Sequence, residues 1–173
     1  MRKVTFAVLA MVVMLVGCTS IECSMNNIVV SQYGFMQHCD DGNDTAVVLD
    51  KYYLSVSINR NDNGADTVIL NKKSKISTLQ LPVSYTRGAD ILYFDFMDTL
   101  QSAQFKTIAV DTVYIKKTND LIFEGVDCNP RYHHKVLSVT TTHNLIDSIV
   151  VNNNKIDNDP SKVHFYLYLH SSE

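Results

Sequence analysis

Over residues 52–60 the apolar side chains Leu54, Val56 and Ile58 alternate with Ser55, Ser57 and Asn59. A period of two places one face of a β-strand in a core and the other in water. The same alternation returns at Leu92, Phe94 and Phe96, at Ile108 and Val110, at Leu121 and Phe123, at Leu137 and Val139, and along Val163, Phe165, Leu167 and Leu169. Shorter runs rich in β-branched residues sit at 28–30, 67–70, 76–81 and 149–151. Together they predict about eight to ten strands and no amphipathic helix. The breaks between them carry turn chemistry: Asn63 with Gly64 readily takes positive φ and predicts a hairpin, and polar clusters fall at 41–44, 87–90, 119–120 and 152–160. Asp followed by Thr or Ser and an aliphatic residue recurs at Asp44, Asp66, Asp98, Asp111 and Asp147 without a fixed period, which reads as a turn preceding each strand. The expected fold is an all-β, two-sheet sandwich of immunoglobulin-like or transthyretin-like topology over residues 28–173.

The first residues follow a different pattern. Arg2 and Lys3 precede a short apolar run that closes on Leu15, Val16, Gly17 and Cys18, which predicts a cleaved lipoprotein signal peptide over 1–17. The run is too short to span a bilayer. Cys18 is then the lipidation site, carrying palmitate-type acyl chains into the lipid bilayer, and 18–27 is a tether. Thr19 follows Cys18 where an Asp would signal retention, so the expected location is the cell envelope, at the outer membrane and facing the periplasm.

Charge and cysteine content narrow the partners. Lys and Arg number 15 against 18 Asp and Glu in the whole chain. Loss of Arg2 and Lys3 with the signal makes the mature chain more acidic. No Lys/Arg cluster is present, so there is no footprint for nucleic acid. Of the four cysteines, lipid takes one, leaving Cys23, Cys39 and Cys128 in a compartment that permits disulfides. Three thiols allow one bridge and one orphan. Cys23 with Cys128 is favoured, because a long loop gives up to about 4 to 5 kcal/mol by loop-closure entropy. Cys23 with Cys39 remains open.

Candidate chemistry is sparse. Asn59, Asn61, Asn63 and Gly64 mimic a calcium loop, but Leu70 stands where the closing Glu belongs. Asp40, Asp41, Asp44, Asp157 and Asp159 read as solvated loop carboxylates. His133 and His134 point to opposite strand faces, and His143, His164 and His170 lack spacing that would preorganise a metal site. Cys39 beside His38 is flanked by Asp40 and Asp41, which would raise a thiol pKa, and no nucleophile elbow occurs among the six glycines. The expectation is therefore no enzyme, no cofactor and no metal. The remaining candidate is the terminal strand, whose second face carries His164, Tyr166, Tyr168 and His170 as a possible surface for an envelope protein partner.

With the Leu-Val-Gly-Cys junction, the early Cys23, the segment Leu79-Gln80-Leu81-Pro82-Val83-Ser84-Tyr85, the Asp-Thr turns, Val126-Asp127-Cys128-Asn129-Pro130 and Thr142-His143-Asn144-Leu145-Ile146-Asp147-Ser148-Ile149, the chain resembles a family of small Bacteroidota envelope lipoproteins catalogued as a domain of unknown function. The resemblance implies a β-rich envelope lipoprotein and a Cys23 to Cys128 pairing. It implies no activity. The expected function is a non-enzymatic binding or assembly module. The alternative is a carbohydrate or small-ligand binding lipoprotein accessory to polysaccharide uptake, which the lack of Trp disfavours.

Overall fold

The computed structural model describes residues 29–39, 43–59, 66–99, 104–123, 128–157, 159 and 161–170. Signal peptide, Cys18, Cys23 and the Asn63-Gly64 turn lie outside the described residues. Eleven strands are present among those described: β1 (Val30–His38), β2 (Asp44–Ala46), β3 (Tyr53–Asn59), β4 (Asp66–Lys73), β5 (Thr78–Pro82), β6 (Ala89–Thr99), β7 (Phe105–Ile122), β8 (Arg131–Thr141), β9 (Ile146–Val151), β10 (Lys155–Ile156) and β11 (Phe165–Leu169).

They form two sheets packed face to face, as the alternation predicts. The first runs β2-β1-β11-β9, with β5 also pairing with β1; the second runs β10-β8-β7-β6-β3-β4. All pairings are antiparallel except β1 with β11, which run parallel in the register Tyr33 to Phe165 and Phe35 to Leu167. The core closes between the sheets. Tyr33 stacks on Phe165 at 5.0 Å and meets Phe94 of the opposite sheet edge-on at 5.9 Å. Leu54, Val56, Leu92, Phe94, Phe96, Phe165 and Leu167 are buried, on the faces that alternation assigns to them.

Gly34 has a steric reason. A Cβ there would lie 3.3 Å from Cδ1 of Tyr166 and 3.4 Å from Cγ1 of Val163, so the Tyr166 ring lies over the bare backbone of the neighbouring strand.

Three of the alternating runs are not buried as expected. Ile108 and Val110 are 51% and 41% exposed, because the buried positions of β7 are Asp111, Val113, Ile115 and Lys117. Ile108 itself is the extra residue of a bulge: Phe96 pairs with Ala109, and Met97 with Thr107. Leu137 is exposed for the same reason, since Lys116 pairs with Ser138 and Lys117 with Val136, leaving Leu137 unpaired. Leu121 and Phe123 keep the inward parity of β7 but lie past Lys117, its last buried residue, and are exposed.

Candidate functional site

A concavity of about 410 Å³ lies beside the 83–88 connection between β5 and β6. Ile58, Ile69, Val83 and Leu92 supply its apolar walls, and Ser84, Tyr85, Arg87 and Asp90 its polar rim. This is the size range of small-molecule sites, which combine apolar walls with a few placed polar groups.

Its shape is held by a lysine in a core position. Lys117 follows Val113 and Ile115 in the inward alternation of β7, and its side chain is fully buried. Burial of an ammonium is costly unless its donors are satisfied, and here they are. Nζ donates to the Ser84 carbonyl, to the Arg87 carbonyl at 2.8 Å and to Asn119 Oδ1 at 2.9 Å, and lies 3.5 Å from Asp90 Oδ2. The Lys117 backbone N–H donates to the Gly88 carbonyl at 2.9 Å. One residue of β7 therefore fixes three carbonyls of the connection.

The surroundings complete this network. Asn119 Nδ2 donates to the Arg87 carbonyl at 2.9 Å, and Asn119 Oδ1 faces His134 Nδ1 at 2.8 Å. Burial pushes the Asp90 carboxyl above its ordinary range, against the pull of Lys117, the Ser84 N–H and Arg87. Burial likewise lowers the Lys117 ammonium, opposed by Asp90. His134 is held down to about 4 by burial and by the Lys117 charge, so it is a neutral imidazole at neutral pH. On the outer side Tyr85, 60% exposed, stacks on Tyr132 at 5.3 Å, and Tyr132 lies parallel to His134 at 6.5 Å.

Arg87 is the cation that reaches the cleft. Its Nη1 donates to the Asn59 carbonyl at 2.7 Å and its Nε to Ser84 Oγ at 3.4 Å, while Nη2 stands 3.8 Å from Asp90 Oδ1. A guanidinium has five N–H donors. Among the described residues, Nη2 has only that distant carboxylate. Apolar walls with a guanidinium edge at the rim are an arrangement that can bind.

The residues expected to form a partner surface are placed differently. His164 is fully buried, and its Nδ1 accepts from the Gln32 N–H at 2.9 Å. Tyr168 is 6% exposed, stacks on His38 at 4.2 Å and donates to Asp44 Oδ2 at 2.7 Å. Tyr166 is half-buried over Gly34. Only His170 is exposed, 3.5 Å from Asp147, on a smaller hollow of about 170 Å³ that Tyr52 and Lys51 also line. The four do not make one open stripe, because His164 and Tyr168 are buried and Tyr166 is half-buried.

Other candidates resolve into local structure. Asp44 is held by His38 and Tyr168, which keep it below the usual carboxylate range. Asp157 and Asp159 pair with Lys155 and Lys162, and Asp159 turns back onto Ser161. His143 sits at positive φ in the β8–β9 turn and contacts the Asp147 carbonyl. Cys39 is a free thiol, 3.4 Å from Thr45 Oγ1, whereas Cys128 is buried and engaged. Asp40, Asp41, Asn61 and Asn63 lie outside the described residues. Among those described, no three His, Cys, Asp or Glu side chains converge as metal ligands do.

Sequence reasoning treats 87–90 and 119–120 as polar breaks and weighs His134 only as a metal ligand, and so misses the network that Arg87, Asp90, Lys117, Asn119 and His134 form. The available signal is Lys117, a charge standing where the inward alternation of Val113 and Ile115 calls for an apolar residue.

No curated protein and no solved structure matches the chain. Residues 53–169 match the Family of unknown function (DUF6452), a span that includes the cleft and its Lys117 network and more than half of the chain, and the protein belongs to that family.

Proposed function

We propose that the protein is an envelope lipoprotein of the small Bacteroidota type, anchored through acylated Cys18 and bridged between Cys23 and Cys128, that works as a non-enzymatic binding module. The observation that carries the binding part is the cleft itself: apolar walls, a cation at the rim and a connection pinned by Lys117. Rigid support of this kind lowers the ordering cost of binding. Of the two forms such a module can take, the small-ligand form has the better support, since His164 and Tyr168 are buried and a concave site stands elsewhere. The assembly form draws on exposed Tyr85 at the same rim.

Photo-crosslinking in native membranes tests the reading. A benzoylphenylalanine at Tyr85 is expected to give a discrete adduct by intact mass that the same group at Tyr114, exposed on β7, does not give. An adduct of small-molecule mass supports the ligand form, and a protein-sized one the assembly form. Identical adducts at both positions, or none at Tyr85, overturn the proposal.

A further inference from the structure

We infer that the cleft takes a small organic acid, with its ionised carboxylate on Arg87 and an aromatic or branched apolar body against Ile58, Val83 and Leu92. This rests on the reading of the cleft as a binding site and adds the class of ligand. Charge bookkeeping carries it. Among the described residues, Lys117 and Arg87 bring two positive charges to one carboxylate, Asp90, and Lys117 is the nearer at 3.5 Å against 3.8 Å. Lys117 has no freedom to serve a ligand, because its donors are committed to Ser84, Arg87 and Asn119 and its side chain is fully buried. Arg87 differs on both counts. Its side chain is 29% exposed, and among the described residues its Nη2 edge carries only the long approach to Asp90. A guanidinium fork presents two parallel donors to a carboxylate, which adds geometry to charge.

The nearby carboxylate does not cancel this. Asp90 is 9% exposed, accepts from the Ser84 N–H at 3.4 Å and has Lys117 on its Oδ2, so its charge is directed into the protein. A ligand carboxylate at the rim brings the local count to two cations and two anions. The walls then select what is attached. Ile58, Ile69, Val83 and Leu92 offer no hydrogen bond from their side chains, so a hydroxylated body would lose its water without replacement, whereas an aryl or branched alkyl body gains by burial. Tyr85, 60% exposed, adds aromatic surface to the lining beside such a body.

The test uses full-length mature lipoprotein in nanodiscs, with empty nanodiscs as the blank, and two fluorinated probes followed by fluorine NMR: 4-fluorophenylacetate and its neutral amide. The acid is expected to bind at least about tenfold more tightly than the amide. Arg87→Gln is expected to abolish that preference, with its unfolding transition in urea reporting whether the variant is folded. If Arg87→Gln does not fold, Arg87→Lys answers instead, since a point charge without the fork should reduce the preference. Equal binding of acid and amide, or a preference undiminished in the folded variant, overturns the acid assignment and leaves the cleft as a binding site. Absence of binding by either probe overturns both.

Discussion

His134 shows how one buried side chain ties stability to pH. It is 1% exposed, bonded to Asn119 and close to the Lys117 charge, and its protonation falls to about 4 from an ordinary 6.5. Above 6.5 the imidazole is neutral folded and unfolded, and nothing is lost. Between 6.5 and about 4 the unfolded chain binds a proton that the folded chain does not, so stability falls as pH falls through that window. Urea unfolding of the native protein should show this loss, and His134→Gln should show a smaller one; an identical loss in the variant would remove His134 as its source. Tyr168 makes a second case. Its ring is buried, its hydroxyl bonds Asp44, and burial together with that bond raises it to about 12. Tyr168→Phe should cost about 0.5 to 1.5 kcal/mol for the hydrogen bond. Tyr168→Ala should cost about 3 to 5 kcal/mol through the cavity left behind. A melting temperature unmoved by Tyr168→Ala would place the ring in solvent after all.

Between elements the most consequential contact is made by Asp111. It stands on β7 at an inward, fully buried position, and its carboxylate accepts from the backbone N–H groups of Asn144 at 2.7 Å, Leu145 at 2.7 Å and Ile146 at 2.8 Å, and from the Thr142 hydroxyl at 2.9 Å. The chain leaves β8 in one sheet and enters β9 in the other through this turn, so one side chain sets where the sheets join. Burial opposes its ionisation, but the hydrogen bonds from Ile146, Asn144, Leu145 and Thr142 prevail and keep it below the usual carboxylate range. Its contribution is therefore complete above the unfolded carboxylate value of about 3.9 and lost as pH falls through the lower folded value. Asp111→Ala should cost several kcal/mol near neutral pH, since about 1 to 3 kcal/mol attaches to each buried donor left without a partner. The deficit measured by urea unfolding should shrink in strong acid; a deficit constant with pH would contradict the assignment. The sequence shows Asp111 only as one of several Asp-Thr turns. Strand alternation was legible at Leu54, Val56, Phe94, Phe96, Phe165 and Leu167, where any inserted residue lies in the partner strand. It failed at Ile108 and Leu137, because one inserted residue reverses the side on which all later residues fall, and no local pattern announces a bulge. The cleft was illegible for a related reason: Arg87 and Lys117 are thirty residues apart and meet only after β6 and β7 pair.

At the scale of the whole molecule, the two sheets share one core, and the start of β1 lies in it. Val29 is buried and β1 pairs with β2, β5 and β11, the parallel pairing with β11 bringing the first and last strands together. In sequence, Cys23 stands seven residues ahead of Val30. Cys128, on the far side of β7 in sequence, is buried and engaged, and Cys39 is the free thiol. A bridge from Cys23 to Cys128 would fasten the segment before β1 to the loop before β8 and close a loop of roughly a hundred residues, the regime in which a cross-link restricts the unfolded chain most. Peptide mapping of the native protein without reduction should join Cys23 to Cys128 and find Cys39 alone alkylated, and Cys128→Ala should cost about 2 to 5 kcal/mol. A peptide joining Cys23 to Cys39 would refute the pairing. The anchor is tested separately: Cys18→Ala should remove the acyl mass and release the protein from membranes, because the chain carries no basic cluster to hold an anionic surface once the lipid is gone. Membrane fractionation unchanged in that variant, with residues 1–17 still present by mass, would contradict lipidation while leaving the cleft, the Lys117 network and the disulfide to stand on their own tests.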